Sequence, residues 1–237
     1  MNEYAEVILY TFIAGLMIPL GGLFAWKEHI PQRWLRLEVE HGIVAFGGGV
    51  LLAAVALVLV PGGIEELALL PVAGFFSLGA LVFLFLDRLI QKHGGSAAQV
   101  MAMTLDFTPE AIALGAAAGT GNSIVPLLAL LIGLQNLPEG FNSYRDLIKS
   151  ELKPKRWLLL LTALAFLGPI SGSIGLTWLT DEPEAIASIM LFAAGGILYL
   201  TFQDIAPQAK LKRHWAPSLG AVAGFLIGVI GEMTIGP

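Results

Sequence analysis

The chain contains no cysteine. That absence excludes disulfides, thiolate metal sites and thiol nucleophiles together. Charge is also scarce: Asp, Glu, Lys and Arg make up 13% of the 237 residues, against ~25% in a soluble domain. Histidine is confined to His29, His41, His93 and His214, all in or beside the segments between apolar runs. A histidine there reads as a solvated residue, so imidazole is missing from the apolar runs themselves. No nucleotide-binding glycine loop, serine triad or thiol motif occurs. Nothing therefore points to an enzyme or to movement driven by ATP. No basic region precedes the first apolar run, and that run is long enough to span, so no cleavable signal peptide is expected. The net charge of −5 carries no signal for a nucleic-acid partner.

What is present is apolar surface in excess of any single core. Hydrophobic residues make up 56% of the chain, its mean hydropathy is +0.78, and 28 residues are glycine. Glycine is expected where helices pack closely in lipid. About 20 apolar residues cross a bilayer core. On that scale the sequence predicts eight spans, at 5–26, 41–61, 67–87, 99–119, 122–143, 157–179, 185–206 and 216–236. A short turn around Gly119, Thr120, Gly121, Asn122 and Ser123 separates the fourth from the fifth. All 13 basic residues, from Lys27 to Arg213, then fall in loops on one side. The opposite loops hold Glu65, Glu66, Asp181, Glu182 and Glu184 and no Lys or Arg. The positive-inside rule places both termini outside the cytoplasm.

Two internal repeats run through these spans. Leu105-Asp106-Phe107-Thr108-Pro109-Glu110 matches Leu134-Gln135-Asn136-Leu137-Pro138-Glu139 at an offset of 29. The first three spans also resemble the last three: Ile18-Pro19-Leu20-Gly21 pairs with Gly168-Pro169-Ile170-Ser171, Gly49 to Pro61 with Gly195 to Pro207, and Ser77-Leu78-Gly79-Ala80 with Ser218-Leu219-Gly220-Ala221. Partners are separated by an odd number of spans, so they run in opposite directions. The expected fold is an all-α membrane protein, an eight-helix 3+2+3 inverted-repeat bundle in one transmembrane domain over 1–237. Residues 1–98 form one triplet, 99–143 the central pair and 144–237 the other triplet. In transporters such repeats put the substrate site near the midplane.

The central pair carries the chemistry. A carboxylate at mid-bilayer costs at least ~2.5–3.5 kcal/mol. Asp106 and Glu110 are four residues apart and share one face of the fourth span. Gln135 and Glu139 do the same on the fifth. No Lys, Arg or His lies in either span beside them, so the simplest counter-charge is a bound cation or protons. Pro109 and Pro138 remove the helical partners of the Leu105 and Leu134 carbonyls. Those carbonyls would add to a hard, oxygen-only donor set. The alternative is protonated carboxyls bonding between helices as packing contacts. That fits one such residue better than three on facing helices. Near the basic end of the seventh span, Gln203 and Asp204 read either as snorkelling end residues or as ligands of an exit site.

At these residues the chain resembles the ZIP family of divalent metal transporters. That family has eight spans, extracytoplasmic termini and a metal site built from His-Asn-x-Pro-Glu-Gly in the fourth and fifth helices. Asp106-Phe107-Thr108-Pro109-Glu110-Ala111 and Gln135-Asn136-Leu137-Pro138-Glu139-Gly140 stand in those places. Gly168 to Gly175 and Ala194 to Tyr199 with Asp204-Ile205-Ala206-Pro207 are similar to the family's sixth and seventh helices. This copy departs from the pattern. Asp106 and Gln135 replace the usual histidines, Phe107 replaces an amide or acidic ligand, and Gly168 stands where many members carry a glutamate. The resemblance implies a metal site of Asp106, Glu110, Gln135 and Glu139, with Asn136 left over from a second site. Without imidazole, preference for zinc should fall relative to Mn²⁺, Fe²⁺ or Mg²⁺.

The function expected is transport of a divalent cation of the Zn, Mn or Fe type toward the cytoplasm, along its own gradient or coupled to protons. The alternative is a ZIP-like protein that binds or senses metal, or carries a different cation. The metal is the transported substrate, and no organic cofactor is expected. The other partner is the lipid bilayer, in the cytoplasmic membrane of a prokaryote, and a homodimer is left open.

Overall fold

The computed structural model describes residues 3–93, 96–121, 123–147, 153–211 and 216–235. Asn122, Lys149, Lys212, Arg213 and His214 lie outside these. The described chain is helical throughout. It forms eight rods: α1 (Glu3–Lys27), α2 (Arg33–Glu66), α3 (Leu69–His93), α4 (Ser96–Gly119), α5 (Val125–Leu147), α6 (Pro154–Leu179), α7 (Pro183–Ala209) and α8 (Ala216–Ile235). Among the described residues, six helices are long and apolar enough to cross a membrane. The two not in that set, α4 and α5, are those that carry the polar residues.

Local chemistry explains most of the boundaries. Pro154 and Pro183 open α6 and α7 at a position where the missing N–H is not needed. Gly121, at φ 67°, takes the left-handed conformation that ends α4 in the turn before α5. The helix of the second span starts at Arg33, eight residues before the apolar run. Hydropathy marks the membrane core, whereas the helix continues beyond it into polar sequence.

Prolines shape three helices. In α6 the helix breaks after Ala165, four residues before Pro169, where the proline ring would strike the carbonyl. That Ala165 carbonyl faces Gly15 of α1, where a methyl would collide with it. In α2 and α7 the turns before Pro61 and Pro207 widen to π-helix, over Ala54–Leu59 and Thr201–Ile205. There the Val60 N–H reaches the Val55 carbonyl, and the Ala206 N–H reaches Thr201.

The rods pack as two groups of four. α1 lies along α5 and α6, and α4 lies along α6 and α5. Separately, α2 lies along α8, α3 along α7, and the end of α2 against α7. Between the groups, α2 meets α5 and α4 meets α7. Glycines allow the backbones to touch. A methyl on Gly49 would strike the Ala221 carbonyl of α8, and one on Gly224 the Phe46 carbonyl of α2. Likewise Gly195 lies on the Phe76 carbonyl of α3, and Gly79 on the Phe192 carbonyl of α7. Gly195→Leu is expected to lower the unfolding midpoint in detergent by several degrees, because overpacking costs ~1–3 kcal/mol. Gly74→Leu, where a methyl meets nothing within 4 Å, should leave it unchanged. Equal midpoints for both variants would contradict this packing.

Candidate metal site

α4 and α5 continue as α-helix through Pro109 and Pro138, so neither proline breaks the face that carries the polar pairs. The two faces meet. The Gln135 amide nitrogen on α5 donates to Glu110 Oε1 on α4 at 2.5 Å. Asp106 on α4 and Glu139 on α5 lie against one another. Each pair therefore joins one helix to the other. Asp106 is 5% exposed, Glu110 1%, Gln135 0% and Asn136 1%, while Glu139 is partly buried.

These pairings leave oxygens over. Asp106 Oδ1, Glu110 Oε2, Gln135 Oε1 and Asn136 Oδ1 are sealed from solvent and find no hydrogen-bond partner in the protein. An orphaned buried acceptor costs ~1–3 kcal/mol, and more when charged. Four on adjoining helices form an oxygen-only set suited to a hard cation. Among the described residues, no three His, Cys, Asp or Glu side chains are gathered so as to hold a metal on their own. A cation here would draw on the amide oxygens as well as the carboxylates.

The surroundings fix the shape of the cluster. Asn136 donates through Nδ2 to the Ala14 carbonyl of α1 at 3.0 Å, which anchors the amide and leaves Oδ1 as its free end. One turn toward the basic end of the bundle, Ser143 Oγ donates to Met103 Sδ at 2.8 Å, joining α5 to α4. Met103, Phe141 and Tyr144 are buried there, and Leu114, Ala116, Ala117, Leu127, Leu128 and Leu131 are buried beyond the other side of the site. Apolar packing therefore lies on both sides of the cluster. Phe107 turns toward α6. A methyl on Gly168 would meet the Thr11 carbonyl of α1 and the tip of this ring, so the α1 backbone and the phenyl together fill the space a side chain at 168 would need.

The remaining candidates sit elsewhere. Gln203 is exposed and Asp204 partly buried, both in the widened turn of α7. The structure groups Asp204 with Asp87 of α3, whose carboxylate accepts a hydrogen bond from the Tyr199 hydroxyl at 3.0 Å. Asp87 carries little signal in the sequence, since an acid next to Arg88 at the end of an apolar run looks solvated. His29 is exposed, and His41 bonds the Leu37 carbonyl of its own helix at 2.6 Å. Neither joins the cluster.

The sequence model of the ZIP zinc transporter family matches residues 95–235. That stretch contains every residue of the cluster and more than half of the chain. No curated protein matches it.

Proposed function

The chain belongs to the ZIP zinc transporter family, and on that footing we propose that it carries a divalent metal cation toward the cytoplasm through the carboxylate and amide cluster between α4 and α5. The observation that carries this reading is the set of four buried oxygens without partners. Glu110 and Glu139 are the central ligands, Asp106 and Gln135 complete the shell, and Asn136 offers a further oxygen.

The reading extends to the architecture. Residues 1–98 and 144–237 are inverted copies around the central pair 99–143. The close contacts support this. Gly49 on Ala221 recurs as Gly195 on Phe76, and Phe46 on Gly224 recurs as Phe192 on Gly79. The displacement is 146 residues between α2 and α7 and 145 between α8 and α3, so these contacts match Gly79 with Gly224 and not with Gly220, four residues from the register read in the sequence. The widened turns before Pro61 and Pro207 are also displaced by 146. Copies that run in opposite directions present the site to either side in turn, as the group holding α4 and α5 shifts against the other. The basic loops face the cytoplasm and both termini lie outside it, in the cytoplasmic membrane of a prokaryote.

Reconstitution tests this. Purified protein in liposomes is expected to give a saturable influx of Mn²⁺ or Zn²⁺ that protein-free vesicles lack. A metal-induced rise in melting temperature with no influx would instead establish a protein that binds or senses metal without moving it.

A further inference from the structure

The end of α5 beyond the site carries an ion cluster that is separate from the buried oxygens. Arg145 lies in the last turn of α5, six residues past Glu139, or ~9 Å along the axis. Its Nη1 is 3.1 Å from Glu28 Oε2 and is also paired with Glu40 Oε1. The side chains are 27%, 14% and 18% exposed. The guanidinium lies 5.6 Å from the centroid of the Phe141 ring. Arg36 Nε, one turn before Glu40 on α2, stands 3.5 Å from the same Glu40 oxygen.

The two partners of Arg145 belong to different parts of the bundle. Glu28 continues the last turn of α1, its N–H bonded to the Phe24 carbonyl, and α1 lies along α5 in the same group. Glu40 is on α2, in the other group. We infer that Arg145 and Glu40 form an ionic latch between the two helix groups, closed in this arrangement and released when the groups move. The inference rests on the transport reading, which requires that movement.

The arrangement makes the latch breakable. An unpaired charge in a low-dielectric setting is costly, and removing one partner of a buried pair is strongly destabilising. Here neither charge is stranded on opening. Arg145 keeps Glu28, which travels with it, and the ring of Phe141. Glu40 keeps Arg36, its own helical neighbour. The energy lost is that of one partly exposed pair, which is small. Such a contact biases an equilibrium without freezing it. Glu28 alone would give a static clamp, and Glu40 alone would give a pair too costly to open.

The native chain lacks cysteine, so thiol labelling has no background. Two reporters are introduced separately: Ser143→Cys, between the site and the basic end, and Ala117→Cys, on the far side. Both positions are buried in this arrangement. Labelling by a small thiol reagent is followed in the full chain in liposomes, with and without Mn²⁺. Mn²⁺ is expected to change the labelling rate of at least one reporter. Without Mn²⁺, Glu40→Gln is expected to raise the rate at one reporter about three- to fivefold, the scale of one such ion pair. Glu28→Gln should leave it near the parent value. Arg145→Lys keeps the charge but loses the longer reach and planar face of the guanidinium, and should give a smaller rise.

Two results overturn the latch alone while movement persists: a Mn²⁺ response with no effect of Glu40→Gln or Arg145→Lys, or equal effects of Glu28→Gln and Glu40→Gln. If Mn²⁺ changes neither reporter in the parent, the groups do not move, and the transport reading falls together with the latch.

Discussion

Glu110→Gln is expected to reduce metal influx by about a hundredfold or more while the bundle remains folded. Glutamine preserves the shape of the side chain and can still accept from Gln135, so the bond between α4 and α5 survives. What disappears is one negative charge at the centre of the cluster. A unit charge ~4 Å away, at an effective dielectric near 20, interacts with another by about 4 kcal/mol, and with a divalent ion by about twice that. Dehydration of the ion offsets part of this, and the remainder still exceeds two decades in binding. Stability should move the other way. Glu110 is 1% exposed and one of its oxygens has no partner, so neutralising it is expected to leave the metal-free melting temperature unchanged or higher. The metal-induced increment in melting temperature should vanish. Glu139→Gln should behave similarly. Influx at the parent rate in both variants would remove this site from consideration.

The second large effect concerns which ion is favoured. All four partnerless atoms are oxygens. The nearby thioether, Met103 Sδ, already accepts from Ser143. A set of carboxylate and amide oxygens suits Mn²⁺ or Mg²⁺, whereas zinc gains most from imidazole or thiolate. Zinc should therefore compete less well than manganese in a binding assay with the purified protein. Equal or better competition by zinc would count against the site as drawn. The gain-of-function counterpart is Gln135→His. The imidazole offers one nitrogen to a metal, and its other N–H can take over the bond to Glu110, which would orient the ring. That change is expected to shift the ratio of zinc to manganese inhibition constants toward zinc by about tenfold or more. An unchanged ratio would mean that residue 135 does not touch the ion.

Much of this was legible in the sequence because hydropathy and fourfold spacing are local signals. The apolar runs found the rods, and the spacing of Asp106 with Glu110 and of Gln135 with Glu139 put each pair on one face. The structure brings those faces together. Other features depend on contacts between distant residues. Asn136 finds the Ala14 carbonyl 122 positions away, and Arg145 finds Glu28 at a separation of 117. No window along the chain contains such pairs. The proline effects were legible in part. The loss of a helical partner at Leu105 and Leu134 was expected, and both helices nevertheless run through. Pro169 breaks its helix, and Pro61 and Pro207 widen theirs, outcomes that the proline itself does not distinguish. The early start of α2 at Arg33 was hidden because hydropathy reports on lipid rather than on helix.

The phenyl of Phe107 against Gly168 ties the fates of two positions 61 residues apart. A carboxylate placed at 168 alone would collide with the ring, and shortening Phe107 alone would leave a hole of the kind that costs ~3–5 kcal/mol. Each change reads as damage when made singly. The pair alone does not repair it, because a side chain at 168 still meets the Thr11 carbonyl of α1 once the ring is gone. A carboxylate at 168 therefore demands a smaller residue at 107 and a shift of α1 away from α6 together, so the position is guarded by a side chain and a backbone at once.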